Sequence, residues 1–387
     1  MKKCLVIPDS FKGTMTSIEI CNIMRERILS SFPDCEVVTI PIADGGEGTV
    51  DCFLHAFGGE KVRLRVKGPC WEELDAFYGI TGKTAVIEIA SVVGISHVRK
   101  GFDVGKATTY GVGQLILDAV HRGCREIIMG LGGSCTNDGG AGAAAALGTG
   151  FYDETGEPFV PTGWNLGRIN GIDVSKTREI LKDCTVTAIC DVDNPLYGET
   201  GAAYVFGAQK GADGTAIRVL DGQLRLFAEA IQKSLGVDVS KNNGGGAAGG
   251  MGAGAEVFFH AAMKKGIDMA LDISRFESRA KNCDLIFTGE GKIDSQSLRG
   301  KVVIGVARRA KKMGVPVVAV VGDISDDIQS VYECGVSAIF STNRRAIPFE
   351  EEKDRCREDL FATMDDIMRF TKTVERYSAP SALCAGR

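Results

Sequence analysis

Residues 3–14 read Lys3-Cys4-Leu5-Val6-Ile7-Pro8-Asp9-Ser10-Phe11-Lys12-Gly13-Thr14, an apolar run that passes directly into a polar turn. A short apolar run followed by turn residues is typical of a buried strand. An apolar stripe with helical spacing follows from about Thr16 to Ser31, and a second strand is predicted at Glu36–Ile40. The order strand, helix, strand at this spacing predicts a parallel sheet with helices on both faces.

The C-terminal part of the chain repeats this alternation, whereas the middle differs. At the end of the chain we predict strands at Asp284–Phe287, Val315–Val321 and Ala338–Phe340, and helices at Val302–Met313, Ile324–Cys334 and about Phe349 to Tyr377. In the middle, polar alternation predicts an antiparallel meander of Val62–Val66, Leu74–Ile80 and Thr84–Ile89. Further strands are predicted at Glu126–Met129 and Thr185–Cys190, with helices at Val112–Arg122 and Gly139–Leu147.

The simplest topology joins the two ends of the chain into one domain. We predict an α/β domain of residues 1–65 and 285–377, interrupted by an inserted mixed α/β domain of residues 66–284. A cleft between the two domains would then be lined by loops from both. Residues 378–387 are expected to form a frayed tail.

Composition limits the classes of function. The 387 residues suffice for two domains, and a net charge of −5 with mixed signs does not fit a nucleic-acid-binding surface. No apolar run reaches the roughly 18 residues of a membrane span, and the N-terminus lacks a signal-peptide pattern. Thirteen scattered cysteines and four histidines argue against a disulfide framework or a structural zinc site. We therefore expect a cytoplasmic protein that binds neither nucleic acid nor membrane.

Two acidic, glycine-spaced turns point to a ligand site. They are Ala43-Asp44-Gly45-Gly46-Glu47-Gly48-Thr49 and Thr288-Gly289-Glu290-Gly291-Lys292-Ile293-Asp294, the second continuing through Ser295, Ser297, Arg299 and Lys301. Glycine lets the backbone approach a ligand, carboxylates can hold a metal, and Lys or Arg can hold phosphate or carboxylate. Such loops after a strand predict an enzyme that acts on a small anion. The alternative is that Asp44 and Glu47 only interact with a helix dipole.

The turn after the first strand offers further contacts. Lys12 lies where a buried strand ends, and this position favours contact with a ligand. Ser10 and Thr14 lie just before a helix, where hydroxyl groups can bind an anion. The alternative is that Asp9 or Ser10 shapes the turn and that Thr14 or Thr16 caps the helix.

The segment Gly130-Leu131-Gly132-Gly133-Ser134-Cys135-Thr136-Asn137-Asp138-Gly139-Gly140-Ala141-Gly142 is the strongest candidate for a phosphate loop. A strand leads into glycines, then hydroxyl groups, then an alanine-rich helix. We expect backbone N–H groups and the helix N-terminus to converge there on a phosphate. The small residues at 141–146 are expected to allow close packing.

Of two other loops, we predict a functional role for one and only a structural role for the other. In Cys190-Asp191-Val192-Asp193-Asn194-Pro195, we favour Asp191 as a general base or metal ligand, the alternative being that both acids only shape the turn. The glycine-rich segment 243–254 contains G-x-G-x-x-G, but no strand precedes it, so we interpret it as a flexible loop or hinge. No G-x-x-x-x-G-K-[ST] motif occurs, so an ATP-dependent reaction would not use a P-loop.

Six segments together resemble the type 1 glycerate kinase family, in the expected order and from Ile7 to about Arg369. They are Pro8–Thr14, Ala43–Thr49, Thr108–Gly113, Gly132–Gly140, Cys190–Pro195 and Thr288–Lys301. The resemblance implies ATP-dependent phosphorylation of D-glycerate to 2-phosphoglycerate, with Mg²⁺. It also implies a flavodoxin-like domain built from both chain ends around a large inserted α/β domain. No functional residue is carried across the segment after Ser341.

Within this resemblance we assign roles as hypotheses. Asp191 would orient or deprotonate the attacking hydroxyl, and Lys12 would neutralise the transferring phosphoryl group. Arg299, with Ser10, Asp44 and Glu47, would bind the substrate. The remaining assignments are nucleotide phosphates at Ser134, Thr136, Asn137 and Lys292, and Mg²⁺ at Glu290 and Asp294.

Two alternatives stay open. The protein could be a kinase for another small hydroxy acid, since no residue pattern specifies the chain length of the substrate. It could also be a ligand-binding regulator that senses a small acid without turnover. The sequence offers no DNA-binding element for such a regulator. The oligomeric state and the choice between the C2 and C3 hydroxyl groups are not determined by these residues.

Overall fold

A computed structural model describes residues 1–11, 13–42, 45–294, 301–325, 328–345, 351 and 353–378. The chain divides into two units. The terminal unit comprises Met1–Ala43 and Ile267–Arg387, and the inserted unit comprises Asp44–Gly266.

The strands in the described residues are β1 Lys3–Pro8, β2 Glu36–Thr39, β3 Glu60–Lys67, β4 Glu73–Thr81, β5 Thr84–Glu88, β6 Glu126–Gly130, β7 Gly150–Tyr152, β8 Gly171–Asp173, β9 Thr185–Ile189, β10 Ala262–Lys264, β11 Leu285–Gly289, β12 Lys292–Ile293, β13 Val317–Val321, β14 Asp323–Ile324 and β15 Val336–Ser341. The α-helices are α1 Ser17–Ser31, α2 Thr49–Phe57, α3 Ala90–Val93, α4 Tyr110–His121, α5 Ala141–Ala146, α6 Ser175–Leu181, α7 Ala202–Phe206, α8 Gly214–Leu235, α9 Ala247–Phe259, α10 Gly266–Ile273, α11 Phe276–Ala280, α12 Val302–Met313, α13 Gln329–Glu333 and α14 Cys356–Ser378. None of the helices in the described residues is both long and apolar enough to cross a membrane.

The terminal unit is built on a five-stranded sheet in the order β2-β1-β11-β13-β15. Every neighbouring pair in this sheet is parallel. Counted along the chain, the strands of the unit's sheet follow the order 2-1-3-4-5. The prediction of a parallel sheet built from both ends of the chain is therefore confirmed.

Alternate residues of β1, an interior strand of this sheet, face two different helical layers. Cys4 and Val6 pack with the apolar faces of α1 and α14. Leu5 and Ile7 pack instead with α10, α11 and α12. Because both faces of the sheet are covered, the strand reads as a continuous apolar run rather than as an alternating one. This is the pattern from which the strand was predicted.

Helix α1 begins with a capping box. The Thr16 side chain accepts a hydrogen bond from the Glu19 amide, and the Glu19 carboxylate accepts one from the Thr16 amide at 2.9 Å. This arrangement satisfies two amides that have no partner within the helix. Thr16 therefore has the capping role that the sequence left open.

The inserted unit contains a six-stranded sheet in the order β10-β9-β6-β5-β4-β3. Strands β10, β9, β6 and β5 are parallel, whereas β5, β4 and β3 form the predicted antiparallel meander. The carboxyl ends of the four parallel strands lie at one edge, which is where open α/β sheets bind ligands.

The boundaries of the two units differ from the predicted ones at 65/66 and 284/285. Strand β3 pairs along its whole length with β4, so residues 60–65 belong to the inserted unit. Helices α10 and α11 pack against β1 and α12, so residues 267–284 belong to the terminal unit. The predicted boundaries were wrong because they followed the repeat of strands and helices rather than these long-range contacts.

Two predicted helices near the C-terminus are also corrected. The helix predicted at Ile324–Cys334 is only Gln329–Glu333, because Ile324 belongs to β14 and pairs with Ile293 of β12. The helix predicted from about Phe349 is described from Cys356 onward. The predicted tail, apart from Ser378, lies outside the described residues.

Candidate functional site

Three of the loops selected from the sequence meet at the carboxyl edge of the inserted unit's sheet. Strands β6 and β9 end side by side, with Gly130 opposite Ile189, so the loops that follow them start as neighbours. The Gly132 amide donates to the Gly45 carbonyl at 3.0 Å. The loop after β6, the loop after β9 and the turn at 45–48 therefore form one cluster.

Glycine is required where these loops touch. A Cβ atom on Gly130 would lie 2.2 Å from the Gly45 carbonyl oxygen, which is far inside van der Waals contact. Gly45 itself has φ +83°, and a Cβ there would lie 2.6 Å from the Ile189 Cγ2 atom. The glycines that suggested a ligand site thus have a packing role between loops, since only glycine permits this approach.

Asp138 organises the loop after β6 and was not selected from the sequence. Its carboxylate is fully buried and accepts hydrogen bonds from the Thr109 amide at 2.7 Å and the Thr109 hydroxyl at 2.8 Å. The amides of Gly140 and Gly142 donate to it at 3.2 and 3.3 Å. Burial raises the pKa of this carboxyl, and the four hydrogen bonds to its charged form oppose that shift.

These bonds correct the predicted role of the α5 N-terminus. The Ala143 amide donates to the Thr109 hydroxyl oxygen at 2.9 Å, and the Gly139 amide donates to the Gly249 carbonyl at 3.0 Å. The amides expected to hold a phosphate at residues 139, 140, 142 and 143 are therefore used inside the protein. An anion held by this loop would therefore be bound by groups that come before Gly139 in the chain.

Ser134, Thr136 and Asn137 are the side chains available for that role. Each is at most 5% exposed. Among the described residues, the Thr136 hydroxyl and both polar atoms of the Asn137 amide are buried without a hydrogen-bond partner. Buried polar groups in native proteins are almost always paired, so unpaired atoms in one loop indicate that a ligand or water completes them.

Lys210 contacts this loop from a distant part of the chain. It lies in a short 3₁₀ turn at residues 208–210 and is 2% exposed. Its ammonium group donates to the Thr136 carbonyl at 2.7 Å and to the Ser134 hydroxyl oxygen at 3.3 Å. Burial lowers its pKa to about 8. The sequence analysis missed this residue, because nothing in Ala208-Gln209-Lys210-Gly211 distinguishes it from a surface lysine.

Asp191 lies on the neighbouring loop, two residues beyond the end of β9. Its side chain is exposed, and one carboxylate oxygen accepts a hydrogen bond from the Gly266 amide at 2.9 Å. That bond fixes the direction of the carboxyl group, while its exposure leaves it accessible to a small substrate. Asp193, the other acid in the loop, is also exposed.

The glycine-rich segment 243–254 is not the flexible hinge that was predicted. Residues 244–247 and 249–255 are buried. Gly249 has φ +68°, and a Cβ there would lie 2.0 Å from the Thr136 carbonyl oxygen. The Gly246 amide donates to the Asn194 carbonyl at 2.9 Å. The segment therefore packs directly against the loop after β6 and the loop after β9.

A second buried carboxylate supports the turn at 45–48. Glu88, at the end of β5, is 2% exposed and accepts a hydrogen bond from the Val50 amide in the first turn of α2 at 3.1 Å. Burial raises the pKa of Glu88. Glu47, predicted to bind substrate, is exposed and lies two residues before the first residue of the same helix.

In the terminal unit, the predicted residues follow two adjacent strands. Pro8 of β1 lies opposite Gly289 of β11, and the Asp9 amide donates to the Gly289 carbonyl at 2.8 Å. The Ser10 amide donates to the Asp9 carboxylate at 2.7 Å, so Asp9 and Ser10 form a local turn. Glu290 directly follows β11 and is 3% exposed.

The other predicted anion- and metal-binding residues of this unit have ionic neighbours. Lys292 is exposed and lies 3.1 Å from the Asp323 carboxylate, and the Asp294 carboxylate lies 3.8 Å from the Lys301 ammonium. Within the described residues no group of three or more His, Cys, Asp or Glu side chains could hold a metal. The roles of Glu290, Asp294 and Lys292 stay predictions.

Three predicted site residues, Lys12, Asp44 and Arg299, lie outside the described residues.

Comparisons with known proteins place the chain that carries these loops in a family. The model of the glycerate kinase family matches residues 4–372. A Bacillus cereus protein named glycerate kinase is 42% identical over 368 residues, which cover 94% of this chain and 97% of the relative. An Escherichia coli K12 protein named glycerate 2-kinase is 43% identical over 342 residues, which cover 88% of this chain and 90% of the relative.

A solved structure agrees with this similarity. The crystal structure of a Salmonella typhimurium LT2 protein provisionally named glycerate kinase 2 matches with a TM-score of 0.86 at 37% identity. The match covers 97% of this chain and 99% of that one.

Proposed function

This chain belongs to the glycerate kinase family, and we propose that it transfers a phosphoryl group from ATP to the 2-hydroxyl of D-glycerate. The family model spans nearly the whole chain, and the E. coli relative is named for the 2-kinase activity. The observation that carries the proposal is the meeting of the 45–48, 131–140 and 190–195 loops at one sheet edge.

Asp191 is proposed to act on the attacking hydroxyl. Phosphoryl transfer depends on positioning and on charge neutralisation more than on covalent catalysis. A carboxylate that is accessible, yet held by the Gly266 amide, suits the task of orienting a hydroxyl and accepting its proton. Lys12 is proposed to contact the transferring phosphoryl group, and Arg299 to contact the substrate carboxylate. The other proposed substrate contacts are Ser10, Asp44 and Glu47.

The nucleotide is proposed to place its phosphates against Ser134, Thr136 and Asn137. The unpaired, buried polar atoms of Thr136 and Asn137 fit this role, because phosphate oxygens and bound water supply both kinds of hydrogen-bond partner. Lys292 is a further proposed contact.

Magnesium is proposed to lie near Glu290 and Asp294. Mg²⁺ is usually bound by one or two carboxylates together with substrate phosphates and water, so a three-residue cluster is not required. When bound, the ion would neutralise charge on the phosphates.

Two wider features belong to the same proposal. The 2-1-3-4-5 strand order supports a flavodoxin-like terminal domain, and the residues of both units are proposed to serve one active site in a cleft between the predicted domains. A cytoplasmic location stays a prediction from the sequence.

The proposal is tested by measuring ADP release with ATP, Mg²⁺ and D-glycerate, with L-glycerate and glycerol as controls. The product position is read by phosphorus NMR, and the 2-phosphate is expected. Formation of the 3-phosphate would overturn the proposed regiochemistry. Faster turnover of another small hydroxy acid in competition with D-glycerate would favour the alternative substrate class.

The role of Asp191 is tested by Asp191→Asn, with Asp193→Asn as a matched control on the same exposed loop. We expect Asp191→Asn to lower kcat by about 10²-fold or more, the usual scale of general-base catalysis. Asp193→Asn should change kcat by much less. Equal effects of the two variants on folded protein would remove Asp191 from the mechanism.

A further inference from the structure

Lys210 is a buried cation that forms no salt bridge with any described residue, although the buried Asp138 carboxylate interacts with it at longer range. It is 2% exposed, and no carboxylate among the described residues lies within 4.0 Å of its ammonium group. Its two hydrogen bonds are to neutral oxygens, those of Thr136 and Ser134. A buried charge normally has a partner of opposite sign, because removing it from water is otherwise strongly unfavourable.

The ammonium group also retains hydrogen-bonding capacity. Lysine has three donors, of which the described residues use two. The Thr136 hydroxyl and the Asn137 amide, in the loop that Lys210 contacts, are likewise unpaired. A single oxyanion could accept hydrogen bonds from the ammonium group, the Thr136 hydroxyl and the Asn137 Nδ2 group, and a water molecule would then donate to the Asn137 Oδ1 atom.

We propose that Lys210, together with Thr136 and Asn137, forms an oxyanion-binding site in which Lys210 provides the positive charge. This inference rests on the proposed function, since it adds the cation to the loop assigned to nucleotide phosphates. In this proposal Lys210 takes the role that was predicted for the N-terminus of α5, because the amides there donate to Asp138 and Thr109. The ligand group is a phosphate or a carboxylate, and these two sources are separated by experiment.

Binding of an oxyanion should cause Lys210 to take up protons, and this uptake can be measured. Burial lowers the pKa of Lys210 to about 8 in the free protein and outweighs Cys135 and Asp138, the titratable groups of the neighbouring loop, which raise it. An anion beside the ammonium group favours its charged form and raises that pKa. At pH 8.5 part of the free protein carries a neutral Lys210, so binding must take up protons from the buffer.

The test is isothermal titration calorimetry at pH 8.5 in two buffers of different ionisation enthalpy. ADP and D-glycerate are titrated separately into the wild type, Lys210→Met, Lys210→Arg and the control Lys182→Met. Lys182 is an exposed lysine paired with Glu179. For the ligand that carries the oxyanion, we expect proton uptake in the wild type and in the control.

In Lys210→Met the affinity for that ligand should fall by about 30-fold, the scale of one charge-assisted hydrogen bond, and the proton uptake should disappear. Lys210→Arg should keep more of the affinity without proton uptake, because arginine stays charged. A loss restricted to ADP identifies a nucleotide phosphate, and a loss restricted to D-glycerate identifies the substrate carboxylate.

A purely structural role predicts a different result. Lys210→Met would then lower the unfolding temperature while leaving the affinities of the folded protein for both ligands unchanged, and this outcome would overturn the inference. If that variant does not fold, absence of proton uptake by the wild type with either ligand overturns it instead. Failure of the proposed function is seen separately, as proton-linked binding of ADP without any turnover of D-glycerate.

Discussion

At the scale of single residues, the loop after β6 is held together by side chains rather than by its glycines alone. Asp138 and Thr109 take up the amides at the start of α5, and both are fully buried. Within the described residues, the Thr136 hydroxyl and the Asn137 side-chain amide are the buried side-chain groups of this loop that have no hydrogen-bond partner. The residues that shape the loop and the residues proposed to bind the ligand are therefore different.

Thr109→Val tests the shaping role. The substitution keeps the volume but leaves the Ala143 amide unpaired and removes one donor from Asp138. We expect the free energy of unfolding to fall by about 2 kcal/mol, the scale for a buried polar group left without its partner. Urea denaturation measures this. The exposed Thr200→Val is the control, and a similar loss in both variants would contradict the role of Thr109.

The charge of Lys210 predicts a pH dependence of stability. Its pKa falls from 10.5 to about 8 on folding, so between these pH values the unfolded chain binds more protons than the folded one. Stability of the wild type relative to Lys210→Met should therefore rise as the pH increases from about 8 to 10.5. Urea denaturation at intervals across this range measures the difference, and parallel profiles would show that the folded pKa of Lys210 is not lowered.

At the scale of elements, the start of α9 packs against the loop after β6 and the loop after β9. Residues 248–250 all have positive φ, so the regular helix starts only after them. This backbone path lets Gly249 approach the Thr136 carbonyl and Gly246 approach the loop after β9. Close backbone contact of this kind needs glycine, and it explains why a glycine-rich segment is buried here.

Two glycine-to-alanine substitutions separate packing from flexibility. Gly249→Ala places a methyl group 2.0 Å from a carbonyl oxygen at φ +68°, so we expect a loss of more than about 3 kcal/mol in the free energy of unfolding. Gly222→Ala, in the middle of α8 with open space around it, should instead stabilise by about 1 kcal/mol. Denaturation curves measure both, and a tolerated Gly249→Ala would restore the prediction of a hinge.

At the scale of the whole molecule, each unit has its own buried core. The inserted unit has one large apolar cluster that includes Ile87, and the terminal unit has clusters on both faces of its sheet, one of which includes Ile286. A unit with its own core can unfold as a cooperative unit of its own. We therefore expect two transitions in thermal unfolding.

Differential scanning calorimetry of the full chain tests this expectation. Ile286→Val and Ile87→Val are matched truncations at fully buried positions, each expected to destabilise its own unit by about 1 kcal/mol. Each variant should lower the midpoint of one transition, and the two should affect different transitions. A single transition with equal calorimetric and van't Hoff enthalpies would show that the chain unfolds as one unit.

Local pattern was sufficient for part of the scaffold, but it did not predict helices such as α8 and α9 of the inserted unit. Strand β1, helix α12 and the meander of β3, β4 and β5 were predicted because burial imposes a period on neighbouring residues. The segment resemblance to the family was also a property of the sequence, and the family itself is confirmed. The shortened helix α13 and the displaced unit boundaries show the limit, since strand pairing and contacts between distant segments overrode the local pattern.

The sequence by itself therefore determined the alternation of strands and helices, the family, and which loops carry polar residues. The tertiary structure decided which atoms of those loops are still available to a ligand. Lys210 reaches Thr136 across 74 positions of sequence, and Asp138 takes up amides that a local motif assigned to phosphate. Hydrogen bonding is saturable, so the role of a donor depends on the nearest acceptor in space, and only the folded chain specifies that acceptor.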